Sequence, residues 1–194
     1  MTTVENPKIP FTGIIPGGMY PGRIISLKCG ILPAANRFAI NFLCGSRDIA
    51  FHFNPRFDQN YIVRNSCIEG SWGAEETSGG MPLVKGEAFE AAIKCFHDCF
   101  KVCLTASRRK PIETYDSQLK IVPLRSRPNL SPDSRGCGVS LNGKHFCDFA
   151  FRVPYSKITH FNVEGDVMVQ RIAYEGPAPP PEIAMVIRWL RRDA

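Results

Sequence analysis

The stretch HFNPRF, residues 52–57, alternates large polar side chains with apolar ones. Successive side chains of a β-strand point to opposite faces of the sheet, so His52, Asn54 and Arg56 would share one face. The phenylalanines that alternate with them would point into a hydrophobic core. Pro55 has no N–H to donate to a neighbouring strand, so we expect it at a sheet edge or a β-bulge.

The same alternation recurs on both sides of this stretch. Turn-forming combinations such as PGG, CGS and SGG separate the alternating segments, and Asn142–Gly143 is the strongest hairpin signal among them. Many short strands joined by regular turns predict an all-β fold, an antiparallel sandwich or barrel. The segments are residues 23–29, 37–43, 89–95, 145–153 and 165–174.

Two stretches break this pattern. Residues 103–138 are basic and rich in proline, and we interpret them as a long mobile insertion in which only QLKIVPL forms a short strand. GPAPPP, residues 176–181, is a stiff linker that leads into a short amphipathic helical tail. The chain is therefore predicted as one domain, 1–176, followed by a linker and tail, 177–194. We expect the tail to pack on its own domain, with a membrane or a partner surface as the alternative.

The insertion leaves two segments competing for one strand position. FKVCLTA, residues 100–106, and GVSLNG, residues 138–143, both alternate acceptably. If the first forms the strand, the Asn142–Gly143 hairpin loses its natural partner, and if the second does, the chain leaves the sheet after Val102 and returns at Val139. Closing a loop of this length costs only a few kcal/mol, so we expect the sandwich to survive.

Charge, cysteine content and hydropathy narrow the classes of partner. The net charge is +6, but the predicted insertion carries +4 of it, so we expect no nucleic-acid partner. The eight cysteines form no CxxC pair and are read as free thiols in a reducing compartment, with no metal and no cofactor. No apolar run approaches the roughly 20 residues that span a bilayer, and the first residues do not resemble a signal peptide. We therefore expect no membrane insertion.

The residues that follow HFNPRF extend its polar face. Asn65 in YIVRNS follows the same period-two rule, and Trp72 in GSWGAEE lies in a turn where it is badly placed for a core. Glu75 would hold the Arg56 guanidinium by a charge-assisted hydrogen bond. Sugar hydroxyls both donate and accept, and a tryptophan ring covers the C–H face of a pyranose. The set suits a sugar such as galactose, and the plain alternative is a solvated strand face with a surface ion pair.

HFNPRF, IVRNS and WGAEE, in this order and spacing, resemble the signature of the galectins, the β-galactoside-binding lectins. The segments RFAINF, FEAAIKC and GDVMVQRIAY also resemble galectin strands, and the N-terminal part is similar to a recognition domain of the tandem-repeat type. The resemblance implies a two-sheet antiparallel jelly-roll sandwich. It also implies binding of β-galactosides, of the lactose or N-acetyllactosamine type, on glycoproteins or glycolipids.

The resemblance assigns a carbohydrate-binding role to six residues. In relatives with this motif the strand triad contacts the axial 4-hydroxyl and ring oxygen of galactose, two further polar residues bind the 6-hydroxyl, and the indole stacks under the ring. Many relatives have an arginine for the second sugar where this chain has Thr77. In this sequence the six are His52, Asn54, Arg56, Asn65, Trp72 and Glu75.

The resemblance also carries expectations about location and assembly. Galectins need no metal, are made in the cytoplasm and leave cells by a non-classical route without a signal peptide. A disaccharide of about 23 heavy atoms at roughly 0.3 kcal/mol each binds no tighter than micromolar. Useful binding then needs several sites, so we expect self-association or a longer parental chain.

Two other classes of function remain to be weighed. A glycosidase would need two carboxyls across the scissile bond, and Glu75 and Glu76 as neighbours on a strand would point to opposite faces. His145 and Cys147 would share a face by alternation, but no motif supplies an oxyanion hole, so we expect no enzyme. The second class is a galectin-fold module for protein–protein interaction that has lost sugar binding.

Overall fold

The chain folds as β-strands in the computed structural model, which describes residues 1–45, 48–111 and 144–178, and of residues 107–111 the backbone only. One short 3₁₀ turn, Tyr155–Lys157, precedes the eleventh strand. Within the described ranges the strands, numbered β1 to β12 in chain order, are Thr2–Glu5, Phe11–Ile14, Ile24–Ile31, Phe38–Cys44, Asp48–Arg56, Tyr61–Ile68, Ser71–Trp72, Glu87–Cys95, Cys99–Pro111, Lys144–Ala150, Ile158–Gly165 and Val167–Glu175.

The strands form two antiparallel sheets of six strands each. The first, here the β3 sheet, has the order β1-β12-β3-β8-β9-β10, and the second, the β5 sheet, has the order β2-β11-β4-β5-β6-β7. Every neighbouring pair is antiparallel. The all-β, two-sheet antiparallel prediction is therefore confirmed.

A core of phenylalanines fills the space between the sheets. The rings of Phe42 and Phe51 from the β5 sheet approach Phe100 and Phe149 from the β3 sheet, with centroid separations of 4.8 Å for Phe42–Phe100 and 4.7 Å for Phe51–Phe149. All four side chains are fully buried. Truncating such a ring to alanine typically costs about 3–5 kcal/mol of stability, so this core fixes the relative position of the two sheets.

β9 decides the competition between the two candidate segments. FKVCLTA lies within β9, where Val102 pairs with Ile93 of β8 on one side and with Cys147 of β10 on the other. Because β9 continues to Pro111, residues 103–111 belong to the sheet and the predicted start of the insertion at 103 is wrong. GVSLNG, QLKIVPL and the Asn142–Gly143 hairpin lie outside the described residues, as does the predicted helical tail.

The last described residues contact the segment between β2 and β3. The Tyr20 hydroxyl donates to the Pro177 carbonyl at 2.8 Å, and the Arg23 guanidinium donates to the Tyr20 oxygen at 2.9 Å. Six cysteines of the described ranges are free thiols: Cys29, Cys44, Cys67, Cys95, Cys99 and Cys147. Nothing helical in that part of the chain combines the length and apolar character needed to cross a bilayer.

Candidate functional site

β5 lies inside its sheet and separates its side chains into two sets. Phe51 and Phe53 are fully buried in the core, while His52 and Arg56 lie on the outer face and are half-buried. The sequence prediction of one core face and one polar face is confirmed for this strand. The polar side chains of the outer face are therefore attached to a strand whose other face is held in the core by phenylalanines.

Asn54 is the most buried member of the polar triad, with 6% of its surface exposed. Its Nδ2 donates to the Phe38 carbonyl at 2.6 Å, and its Oδ1 accepts from Arg56 Nε at 2.8 Å. The amide therefore links the backbone of β4 to the guanidinium on its own strand.

The position of Pro55 explains why an amide is needed there. Phe57 N–H donates to the Asn36 carbonyl, so in the same register residue 55 lies opposite Phe38 at a hydrogen-bonded position. Pro55 has no donor, and the Asn54 side chain supplies one instead. Since β5 lies between β4 and β6, and the irregular positions of both ladders lie elsewhere, the prediction of an edge or bulge at Pro55 is wrong.

Arg56 is held from three directions. Besides the contact with Asn54, its Nη1 donates to Gln59 Oε1 at 3.2 Å and its Nη2 donates to Glu75 Oε1 at 2.8 Å. Only 19% of the arginine side chain is exposed, compared with 43% of the glutamate. A half-buried, charge-assisted pair is stronger than a solvated one, so the guanidinium is fixed before any ligand arrives.

His52 is oriented by neighbours on both sides. Its Nδ1 lies 2.6 Å from Asn41 Oδ1, and its ring centroid lies 4.9 Å from that of Trp72. Burial, followed by the nearby Arg56 charge, lowers the pKa of His52 to about 4, against smaller opposing effects of Asn54 and Glu75. At neutral pH the imidazole is therefore uncharged and has one nitrogen that can accept a hydrogen bond.

Trp72 lies at the rim of the site with more than half of its surface in solvent. It belongs to the edge strand β7, is 53% exposed and pairs with Cys67 of β6. An exposed indole beside a half-buried imidazole offers a flat apolar surface next to hydrogen-bonding groups. The sequence expectation that this tryptophan lies outside the core agrees with its position.

Asn65 pairs with His52 across β5 and β6 but is only 2% exposed. Its Nδ2 donates to the Gly73 carbonyl at 2.9 Å, and its Oδ1 accepts from Ser66 N and from Arg152 Nη1, both at 2.8 Å. The oxygen is fully used within the protein, and one N–H of the amide is uncommitted. Asn65 can therefore act toward a ligand only as a donor.

Arg152 was not identified from the sequence, and it organises the segment that carries Glu75. Its Nη2 donates to the Ala74 carbonyl and to Glu76 Oε1, both at 2.9 Å. Gly73 makes room for it, because a Cβ there would lie 2.6 Å from Arg152 Nη1. The adjacent glutamates thus bind different arginines, which agrees with the expectation that they point apart.

Asn41 was also missed by the sequence analysis. It lies in the apolar run FAINFL, and it pairs with His52 in the β4–β5 ladder. A single amide in such a run is a signal that could have identified it, because a buried amide needs partners. Its partner, however, comes from another strand and is not visible in the local pattern.

The predicted proximity of His145 and Cys147 on one face is wrong. The β9–β10 ladder shifts register between the two residues, so Cys147 is buried while His145 is exposed and lies 2.8 Å from Asp148. Burial raises the pKa of the Cys147 thiol to about 12, which opposes formation of a thiolate. The arrangement does not supply an activated nucleophile at this position.

The sequence of this chain matches a known protein family. The family model described as "Galactoside-binding lectin" matches residues 10–111 and 130–174, and its interruption falls within the predicted insertion. Galectin-4 of Bos taurus is 33% identical over 179 residues, which are 90% of this chain and 43% of that protein. Galectin-7 of Homo sapiens is 41% identical over 96 residues, which are 48% of this chain and 71% of that protein.

The crystal structure of Caenorhabditis elegans galectin LEC-6 has a similar fold. It superposes with a TM-score of 0.66 at 22% sequence identity, covering 89% of this chain and 95% of that one. The present chain spans less than half the length of the galectin-4 relatives that it matches.

Proposed function

This chain belongs to the galactoside-binding lectin family, and from that premise we propose that it binds β-galactosides on the outer face of the β5 sheet. The ligands are glycans of the lactose or N-acetyllactosamine type on glycoproteins or glycolipids. Binding uses hydrogen bonds and stacking, with no metal, no cofactor and no covalent step.

The observation that carries the proposal is the fixed guanidinium beside an exposed indole. Arg56 is held at 2.8 Å by both Asn54 and Glu75, and the ring of His52, on the same strand, lies 4.9 Å from that of Trp72. Groups that are already ordered lose little conformational entropy when a ligand binds. A small polar ligand such as a sugar buries little apolar area, so its affinity depends on this entropy loss being small.

Each side chain has a role that follows from the hydrogen-bonding groups that it does not already use within the protein. The neutral His52 accepts from the axial 4-hydroxyl, and Arg56 donates to the same hydroxyl and to the ring oxygen. Asn54 can accept from the ligand only with the remaining lone pair of its Oδ1, so its main contribution is to hold Arg56. Trp72 stacks on the C–H face of the galactose ring.

The 6-hydroxyl is bound by Glu75 and Asn65 in this proposal. Glu75 Oε1 is engaged with Arg56, and its second oxygen accepts from the hydroxyl. Asn65 contributes its one uncommitted N–H, so the hydroxyl accepts from the amide and donates to the carboxylate. This directional pair favours a hydroxyl over a methyl or carboxylate at that position.

Affinity for a single disaccharide is modest, in the micromolar range at best by the ligand-efficiency limit of roughly 0.3 kcal/mol per heavy atom. We propose that tight attachment to a glycosylated surface comes from several copies, by self-association or as part of a longer chain. Synthesis in the cytoplasm and non-classical export belong to the same proposal.

Retention on lactosyl resin tests the function directly. The whole chain should be retained, eluted by free lactose, and not eluted by cellobiose, whose hydroxyl at position 4 is equatorial. Arg171→Ala, a charge on the outer face of the other sheet, is the matched control and should be retained like wild type. A protein with an intact β spectrum that flows through the resin would contradict the proposal and favour the protein-interaction module.

A further inference from the structure

A chain of side-chain hydrogen bonds crosses four strands of the β5 sheet and ends at His52. Thr12 of β2, Asn162 of β11 and Asn41 of β4 lie side by side in register with the histidine. The contacts are 2.9 Å from Asn162 Nδ2 to Thr12 Oγ1, 2.7 Å from Asn41 Nδ2 to Asn162 Oδ1, and 2.6 Å from His52 Nδ1 to Asn41 Oδ1. We call these four residues the amide relay.

The direction of the relay is fixed at its far end. Asn162 Nδ2 also lies 3.1 Å from the Phe11 carbonyl, which can only accept, so the NH₂ of Asn162 must face β2. Its Oδ1 then faces Asn41 and can only accept as well. Asn41 must therefore present its own NH₂ toward β11.

Glu164 fixes the orientation of Asn41 a second time. Its Oε1 lies 3.2 Å from Asn41 Nδ2, and an ionised carboxylate accepts but does not donate. Two independent acceptors thus set the same amide orientation, which leaves Asn41 Oδ1 facing the histidine. Because that oxygen can only accept, the proton of the neutral imidazole must be on Nδ1.

We propose that Asn41, oriented by Asn162 and Glu164, is a positioning residue that fixes the tautomer of His52. With the proton on Nδ1, the lone pair of Nε2 is permanently available to accept from a ligand hydroxyl. The statement about the tautomer concerns the free protein, and only the identity of the ligand rests on the proposed function.

Asn41 acts through His52 and does not contact the ligand itself. It is 3% exposed, and its three hydrogen-bonding contacts are all with the protein. A histidine without such a partner populates both neutral tautomers, and the one with Nε2–H presents a donor where an acceptor is needed. If half of the molecules hold the wrong tautomer, the apparent Kd rises about twofold, and it rises further with that fraction.

The experiment reads the tautomer by NMR in the free protein. A two-bond ¹H–¹⁵N correlation spectrum distinguishes protonated from unprotonated ring nitrogens, and the His52 signals are identified by their absence from His52→Gln. In wild type we expect Nδ1 protonated and Nε2 unprotonated at neutral pH. Lactose affinity is measured on the same samples.

Three variants separate positioning from folding. Asn41→Ala removes the acceptor and should give mixed tautomers with weaker lactose binding. Asn41→Asp keeps an oxygen facing Nδ1 but loses the NH₂ that donates to Asn162 and Glu164, so it should retain the Nδ1–H tautomer even with the rest of the relay broken. The control Gln170→Ala, an exposed amide on the β3 sheet, should change neither the tautomer nor the affinity.

Asn41→Asp also changes the pH dependence of binding. A carboxylate beside Nδ1 adds to the effect of Glu75, which raises the pKa of His52 from the β7–β8 loop, while Arg56 on β5 lowers that pKa. Glu164 on β11 contacts Asn41 itself. The variant should therefore lose lactose binding at a higher pH than wild type, because the imidazolium has no lone pair on Nε2.

A wild-type spectrum with Nε2 protonated would overturn the proposal, even if none of the variants folds. Asn41→Ala with a pure Nδ1–H tautomer, or with mixed tautomers and unchanged lactose affinity, would overturn it as well. A wild-type protein with Nδ1 protonated that binds no lactose would support the relay and contradict the proposed lectin function.

Discussion

The outer faces of the two sheets are built from the same period-two alternation but differ in how their polar side chains are used. On the β5 sheet, Asn41, His52 and Arg56 are half-buried or buried and hydrogen-bond to neighbouring side chains. On the β3 sheet, Arg171 and Glu5 form an ion pair at 3.3 Å with about half of each side chain in solvent. Alternation alone therefore does not distinguish the proposed binding face from a solvated face. What differs between the two faces is the mutual hydrogen bonding of partly buried side chains.

The largest effect on lactose affinity is expected when the fixed guanidinium or the indole is removed. Arg56→Ala and Trp72→Leu should each weaken lactose binding by about 100-fold or more, since charge-assisted hydrogen bonds contribute roughly twice as much as neutral ones and stacked aromatic rings are frequent binding hot spots. Titration calorimetry measures the change, and circular dichroism checks the fold. Full lactose binding by Arg56→Ala would remove the β5 face from consideration as the binding site.

Loss of the Arg152 contacts should give the next largest effect on lactose affinity. Gly73→Ala and Arg152→Ala each release Asn65 and Ala74 from the guanidinium, and each should reduce lactose affinity about tenfold. Because both changes break the same contacts, the double variant should be no weaker than the weaker single one. Strictly additive losses in this cycle would show that the two residues act separately.

Glu75→Gln sharpens the comparison by removing charge while keeping shape. The amide can still accept from Arg56 Nη2, but the carboxylate charge of the ion pair is lost, so lactose affinity should fall by about fivefold. The same change at Glu5 is the control and should leave affinity unaltered. If Glu75→Gln binds lactose as well as wild type, Glu75 has no part in recognition.

The pH dependence of binding should be smaller still. The pKa of His52 is lowered from 6.5 to about 4, so binding should be constant near neutrality and lose about half its strength when the pH reaches 4. The free energy of unfolding should decrease as the pH falls from 6.5 to 4, because the unfolded chain takes up the proton first. A binding midpoint near 6.5 instead would mean that the imidazole has an ordinary, solvated environment.

The smallest effect is expected on the β3 sheet. Arg171→Ala removes a surface ion pair and should change stability by no more than about 0.5 kcal/mol, with no change in lactose affinity. Chemical denaturation and calorimetry on one preparation measure both. A large loss of affinity there would mean that the solvated face also takes part in binding.

Local patterns in the sequence were sufficient for β5 and its neighbours. The alternation in HFNPRF placed two phenylalanines in the core and His52, Asn54 and Arg56 on the other face. The same rule failed at β10, where a register shift between His145 and Cys147 sends the two residues to opposite sides. A bulge depends on the partner strand, so alternation within one strand does not reveal it.

Pro55 shows a second limit of local reasoning. Its missing N–H correctly indicated an irregular hydrogen-bond position, but the sheet compensates with the Asn54 side chain and not with an edge. The length of β9 is a third case, since residues 103–111 carry basic side chains and a proline that suggested an insertion. Pairing with β8 extends the strand there in spite of this composition.

The sequence by itself determined the all-β class, the two faces of β5 and the family, because these depend on residues a few positions apart and on motifs in a fixed order. Only the tertiary structure decided that Asn41 and Arg152 support the site. Asn41 and Asn162 are 121 positions apart, and Arg152 and Asn65 are 87 apart. The strand order of the two sheets brings them within hydrogen-bond distance, and no pattern along the chain encodes which side chains meet across that order.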